Sequence, residues 1–236
     1  MLSACGSGGG SGDSATSGKL TSVKFAMASP SWNAGFAVMA VVEAEGFYEQ
    51  EGLKVTTNLF PSATQAAQQV AGGGADLGLM TVEPVAIGHD KDLNLAYFGS
   101  YWPKWIYSLQ VPAGSDVKSI ADLKGKKIGV TAVASSGATF ARTAMKLNGM
   151  SEDAASLVPI GAGAQQINAI KTGQVDALAL WDIQYQAVKN AGVTLTPLPV
   201  TETADAWGGG MATTRKNLEA KKDVFERFGR AVAKAF

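Results

Sequence analysis

The chain has 236 residues, 46% of them hydrophobic and 17% charged, and its 20 lysines and arginines balance 20 aspartates and glutamates. That much apolar material can build a packed core, which excludes the low-hydrophobicity, high-charge composition of a disordered chain. Formal neutrality without basic clusters excludes the electrostatic footprint of a nucleic-acid binder, and no nucleic-acid partner is expected.

Cys5 is the one cysteine of the sequence, so it has no internal disulfide partner and asks for another reading. Leu2-Ser3-Ala4-Cys5 has the form of a lipobox: an apolar residue, two small residues, then cysteine. In bacterial lipoproteins the signal peptide is cut before such a cysteine and a diacylglycerol is attached to its sulfur, which makes Cys5 the candidate lipidation site. The basic and apolar regions that normally precede a lipobox are missing, so the sequence reads as starting late. Residues 6–18, GSGGGSGDSATSG, carry no helix or strand signal and read as a flexible tether. No run reaches the roughly 18 apolar residues of a membrane span. The nearest, 34–42, stops at Glu43. The expectation is an extracytoplasmic body tied to a bacterial membrane through lipid on Cys5, with residues 1–19 as lipobox and tether.

Strand-like and helix-like runs then alternate, the pattern of an α/β protein. A strand is predicted at 23–28, a helix at 34–45, a strand at 54–59 and a helix at 63–71 that ends in Gly72-Gly73-Gly74. A short buried strand at 77–80 leads to a helix near Pro84, where proline suits the first turn. A strand at 93–99 and an extended segment at 105–111 close the first unit. The pattern then restarts: a helical turn at 119–123, a strand at 127–131, and a helix at 137–147 stopped by Asn148-Gly149. Strands at 157–160, 177–180 and 194–198 alternate with helices at 164–172 and 183–190. The Trp207-Gly208-Gly209-Gly210 stretch follows, and 218–236 reads as one or two amphipathic helices. Two α/β units in succession predict two lobes, lobe 1 at 20–107 and 205–236 and lobe 2 at 108–204. Extended crossings near 105–112 and 199–212 would join them. Ligands of open α/β sheets bind beyond the carboxyl ends of the strands, so the expected ligand site is the cleft between the lobes.

Four segments carry a resemblance. Glu45-Gly46-Phe47-Tyr48 through Glu51-Gly52-Leu53-Lys54-Val55 resembles the GFYxxEGLxV segment of the nitrate-, sulfonate- and thiamine-pyrimidine-precursor-binding proteins. Gly72-Gly73-Gly74-Ala75-Asp76-Leu77-Gly78 resembles their aGxaDlG turn. Asp122-Leu123-Lys124-Gly125-Lys126-Lys127-Ile128-Gly129-Val130 resembles the DLKGKkIGV opening of their second lobe. Gly173-Gln174-Val175-Asp176-Ala177 resembles the GqvDA turn that repeats the earlier one. The segments come in the family's order and cover residues 20 to about 212. The resemblance implies a type II periplasmic-binding-protein fold that closes by hinge motion around a small-molecule solute, then docks on an ABC transporter permease. It implies a monomer with no cofactor and no catalytic residue. Family members usually continue for several more helices, so a chain ending at Phe236 in a helical pattern reads as truncated.

The candidate ligand-binding residues lie just after predicted strands. Ser31, Trp32 and Asn33 follow the first, where the family usually places a ligand contact. Thr81 and Glu83 follow the third, and Tyr101 and Trp102 the fourth. In the second lobe Ser135, Ser136, Gly137 and Thr139 open a helix whose N–H groups and hydroxyls suit a polar or anionic acceptor, and Ser136 is equally read as an N-cap. Trp181 and Asp182 follow a strand facing the same cleft, and Trp207 sits at the second crossing. Aromatic side chains at strand ends suit planar or cationic ligands, and Glu83 and Asp182 would accept from amino or ring N–H groups. Arg142 lies inside a helix and Arg215 beyond the second crossing, so neither forms the clamp a small oxyanion would call for. The sequence therefore leans to a heteroaromatic, pyrimidine-like solute, with sulfonate, taurine or nitrate as the alternative.

Two rival classes are weighed. A fungal pyrimidine-precursor synthase on the same fold consumes its own histidine near a cysteine cluster, whereas this chain offers only His89 and no cysteine after Cys5. It has no Gly-x-Ser-x-Gly elbow, phosphate-binding loop, dinucleotide fingerprint or metal-ligand cluster. A ligand sensor on the same fold is the other rival, and the lipobox favours the importer subunit over it.

Overall fold

The computed structural model describes residues 19–89, 93–203 and 205–236. The lipobox, Cys5 and the tether lie outside the described residues. In chain order the first half runs β1 (Thr21–Met27), α1 (Ala37–Ala44), α2 (Phe47–Gln50), β2 (Leu53–Leu59), α3 (Ala63–Ala71), β3 (Leu77–Thr81), α4 (Val82–His89) and β4 (Leu95–Trp102). The second runs β5 (Tyr107–Pro112), β6 (Lys127–Val130), α5 (Ser136–Leu147), β7 (Ser156–Pro159), α6 (Ala164–Lys171), β8 (Ala177–Trp181), α7 (Asp182–Asn190) and β9 (Leu195–Leu198). β10 (Gly209–Thr214), α8 (Arg215–Ala220) and α9 (Lys222–Ala233) return to the first unit.

Two five-stranded sheets result, ordered β2-β1-β3-β10-β4 and β7-β6-β8-β5-β9. In each, four strands run parallel and the strand in fourth place runs antiparallel to them. This is the two-lobed α/β architecture that the alternating pattern predicts. β3 is buried along its whole length and β8 nearly so. Both are covered on two faces by helices, which is why LGLMT and ALALW read as unbroken apolar runs.

The two Gly-x-x-Asp turns do the same work in each sheet. Gly73 (φ 75°) and Gly173 (φ 69°) take left-handed conformations where α3 and α6 end. Asp76 then donates its N–H to Lys24 O and accepts the Lys24 N–H on Oδ2, both at 2.8 Å. Asp176 repeats this pair with Lys127, again at 2.8 Å.

The predicted helix at 34–45 is divided. Asn33 caps a 3-10 turn, Ala34–Phe36, by accepting the Gly35 N–H at 3.0 Å, and α1 follows it. The larger departure is β10, which lies where the sequence reads as the end of an extended crossing near 199–212 and not as a strand of the first sheet. Three consecutive glycines signal a turn, yet here they let backbones meet. A Cβ on Gly208, Gly209 or Gly210 would run into the carbonyl oxygens of Lys104, Met80 or Gly99 respectively. α9 packs Phe225, Phe228, Ala231 and Val232 into the core of the first sheet. The Phe228 ring stacks on Tyr48 at 5.0 Å. Phe236 is exposed, with its ring edge toward Tyr101.

Candidate ligand cleft

The carboxyl ends of the parallel strands in both sheets open on one cavity of about 240 Å³. The first sheet contributes the loop after β1, the start of α3 and the ends of β3 and β4. The second contributes the loop after β6, the starts of α5, α6 and α7, and the entry to β5. This volume, a little below the roughly 300–1,000 Å³ of drug-sized sites, suits a small molecule.

Four helix N-termini face this space. Ser62 caps α3, its side chain accepting the Gln65 N–H at 3.2 Å, and Ser135 caps α5 through the Ala138 N–H at 3.3 Å. Gly163 and Trp181 stand at the N-caps of α6 and α7. Each terminus brings first-turn N–H groups without intrahelical acceptors and the positive end of a dipole. No Asp, Glu, Lys, Arg or His side chain is among the lining residues. The direct contacts the cleft offers are therefore backbone groups and neutral side chains.

Phe36, Trp102 and Trp181 form an aromatic wall of the same cavity. Phe36 meets Trp102 edge-on at 5.9 Å and Trp181 at a tilt at 5.7 Å. Trp181 comes from the second sheet but lies against Gly35 of the first, so closely that a Cβ on Gly35 would overlap its ring. The lobes also meet through the Thr81 and Ser136 hydroxyls, 2.9 Å apart. The crossings are bonded to each other, Trp105 N–H to Ala206 O at 2.7 Å and Gly208 N–H to Trp102 O at 3.1 Å.

Of the residues singled out from the sequence, Ser31, Asn33, Thr81, Trp102, Ser135, Ser136 and Trp181 line the cavity. Asn33 also bonds Ser29 Oγ at 3.2 Å and so shapes its own loop. The other seven stand elsewhere. Trp32 is 41% exposed and Tyr101 is buried in the first core, its hydroxyl on Gly35 O at 3.2 Å and its pKa pushed up to about 12 by burial. Gly137 lets α5 approach the Ala179 carbonyl of β8, and Thr139 sits behind it on the same helix. Asp182 is exposed at the start of α7, with its pKa raised by partial desolvation against the pull of Lys189. Trp207 donates to Ser100 Oγ at 2.8 Å and meets Tyr97 edge-on. Glu83 lies behind the Thr81–Ser136 bridge. Neither of its buried carboxylate oxygens makes a well-formed hydrogen bond, and burial raises its pKa against the opposing pull of the two hydroxyls. His89, at the end of α4, is exposed and outside the lining.

The sequence reading missed Ser29, Phe36, Ser62, Tyr107, Thr131, Gln166 and Gln184, all of which line the cavity. The cap position of Ser62 is a local signal. The others declare themselves only through contacts across the fold. Among the described residues no group of three His, Cys, Asp or Glu side chains could hold a metal, and no helix is long and apolar enough to cross a membrane.

The profile of NMT1/THI5-like proteins matches residues 33–236, most of the chain and all of the cleft lining except the first part of the loop after β1. The chain belongs to the NMT1/THI5-like family. This family member superposes on a Bordetella bronchiseptica structure with a TM-score of 0.77 at 23% identity, over 92% of this chain and 71% of that one. The periplasmic aliphatic sulphonate binding protein SsuA of Escherichia coli gives 0.72 at 21% identity, over 91% and 72%. The alkanesulfonate-binding protein SsuA of Xanthomonas axonopodis pv. citri, solved bound to MOPS, gives 0.71 at 22%, over 92% and 74%. At these identities the likeness establishes the periplasmic-binding-protein fold. A Brucella abortus protein that goes by the name of binding protein is 27% identical over 147 residues, 62% of this chain. The match spans 44% of that relative, so the chain aligns with less than half the length of the curated relatives it matches.

Proposed function

We propose that this protein is the extracytoplasmic solute-binding component of an ABC importer. It captures a small organic solute with a compact, acceptor-rich head, of the sulfonate or carboxylate kind, and an apolar body. The observation that carries this reading is the small cleft lined by no charged side chain, where four helix N-termini and the three aromatic rings of Phe36, Trp102 and Trp181 meet. Helix N-termini neutralise an anionic head without a counter-charge, which removes the need for the arginine clamp that the sequence reading looked for. The aromatic wall receives the remainder of the solute. Two structural neighbours are named for binding sulfonates, which supports the same class.

A planar heterocycle with ring carbonyls is the second reading. Phe36, Trp102 and Trp181 favour it, because their rings offer a stacking surface beside the same donors. In either case the lobes close on the solute, the closed form docks on a permease as a monomer, and no bond is made or broken. Lipid on Cys5 would hold the protein at the membrane. Incorporation of labelled fatty acid into the wild type but not Cys5→Ala checks that anchor.

The solute class is tested by tryptophan fluorescence and thermal shift against alkanesulfonates, taurine, carboxylates, nitrate, pyrimidines, thiamine precursors and amino acids. A saturable response to sulfonates or carboxylates is expected. A response confined to planar heterocycles would replace the first reading with the second. A response to none would overturn both.

A further inference from the structure

We propose that the Thr131 hydroxyl is the donor that fixes the polar head of the solute, and that Gln166 and Gln184 are positioning residues that leave its proton directed to the cleft. The proposal rests on the solute-binding reading above and adds the polarity of one contact.

Thr131 follows β6, and its Oγ1 accepts from Gln166 Nε2 at 3.3 Å and from Gln184 Nε2 at 3.1 Å. An amide taken alone can be flipped, exchanging donor and acceptor. Each of these two is fixed by a backbone group that has only one role. Gln166 Nε2 also donates to Gly161 O at 2.8 Å, and a carbonyl can only accept. Gln184 Oε1 accepts the Trp181 N–H at 3.4 Å, and an N–H can only donate. Both amide nitrogens therefore point at Thr131.

A hydroxyl has two acceptor lone pairs and one proton. The two glutamines occupy both acceptor positions, and the Thr131 proton meets no acceptor among the described residues. All three side chains line the cavity, so the proton is left to whatever fills it. A donor shut into a closed cleft without a partner is costly. The solute atom seated there accordingly accepts: an oxygen of a sulfonate or carboxylate, or a ring carbonyl in the second reading. An ammonium or N–H at that place would meet a proton instead of a lone pair, so the same arrangement rejects amines by that end.

Titration of the folded protein with butanesulfonate, valerate and butylammonium tests this. The wild type is expected to bind an acceptor-headed probe in preference to the ammonium. Thr131→Val, which keeps the shape and removes the hydroxyl, should weaken that probe roughly ten- to a hundredfold, as for loss of a hydrogen bond to a charged group. Thr131→Ser should stay within about threefold of wild type by the same measure. Gln184→Met opens one lone pair of Thr131 and should narrow the preference for acceptor over ammonium about tenfold. Structural damage would instead weaken all probes alike. If the wild type binds an acceptor-headed probe and Thr131→Val binds it equally well, the assignment is overturned while the solute-binding reading stands. A wild-type preference for the ammonium would also overturn it. If no probe and no member of the wider panel binds, both fail together.

Discussion

Trp181 belongs by chain to the second sheet and by packing to the first. Its ring lies on Phe36 and over Gly35, so it is both a wall of the cleft and a contact between the lobes. Trp102 lines the same cavity from the first sheet. Trp105 lies only a few residues further on but packs between Tyr107 and Phe140 against the second core, its Nε1 buried without a partner. The three should separate cleanly on mutation. Trp102→Ala and Trp181→Ala are expected to weaken solute binding by about tenfold or more, losing ring contact and burial. Trp105→Ala should leave affinity within about threefold but cost about 3 kcal/mol of stability, as for a large core truncation. Parallel titrations and urea unfolding curves check this, and identical titrations for all three would remove the aromatic wall from the binding argument. Strand ends were legible in the sequence, so tryptophans could be placed near them. Which way each ring turns was not legible, and Trp32 and Trp207 turned elsewhere.

Among the elements, the most legible were those with local causes. The two Gly-x-x-Asp turns show why: a left-handed glycine ends a helix and a carboxylate pairs with the next strand, all within a few residues plus one neighbour. Asp76→Ala and Asp176→Ala should each cost about 1.5–3 kcal/mol, the range for hydrogen bonds to a charged group. Asp76 should lie at the upper end, because its carboxylate also receives Lys221 Nζ at 2.7 Å. Burial raises the Asp76 pKa, but Lys221 and the Lys24 N–H outweigh it and hold the carboxyl below its usual range. Denaturant unfolding of both variants measures the losses, and a cost below about 0.5 kcal/mol, an ordinary surface substitution, would deny the turns this role. β10 was illegible for the opposite reason. Its glycines answer to Lys104, Met80 and Gly99, which only the assembled sheet brings near. The wall of Thr131, Gln166 and Gln184 was hidden in the same way, since its members are 35 and 53 residues apart and meet only when α6 and α7 pack against β6.

For the molecule as a whole, the proposed lobe closure is expected to depend on pH through Glu83. Its carboxylate sits on α4 of the first lobe beneath the Thr81–Ser136 bridge, and Ser136 belongs to the second lobe. Burial, the largest influence on it, raises its pKa, and the two hydroxyls lower it by less. Tyr97 from β4 and Tyr107 from β5 lie within reach of its charge, and burial pushes both phenols up so that they stay neutral. Opening the lobes would draw Ser136 and Tyr107 of the second lobe away and is expected to hydrate the carboxylate and bring its pKa down toward the ordinary range. The raised value then belongs to the closed form, so closure takes up a proton at any pH between the open-form and closed-form values. The help this gives to closure is complete below the open-form pKa and is lost as pH rises through the closed-form pKa. Solute affinity should therefore fall with rising pH across that window, by at most about tenfold per unit for one proton. Glu83→Gln, which cannot ionise, should flatten the profile and bind more tightly than wild type at the alkaline end. Calorimetric titration in two buffers of different ionisation heat reads the proton directly. Uptake of up to one proton per solute in the wild type and none in the variant is the expected result. An equal binding heat in both buffers across pH 5–8, with a flat affinity profile, would show that Glu83 keeps one protonation state through closure and that the bridge does no electrostatic work.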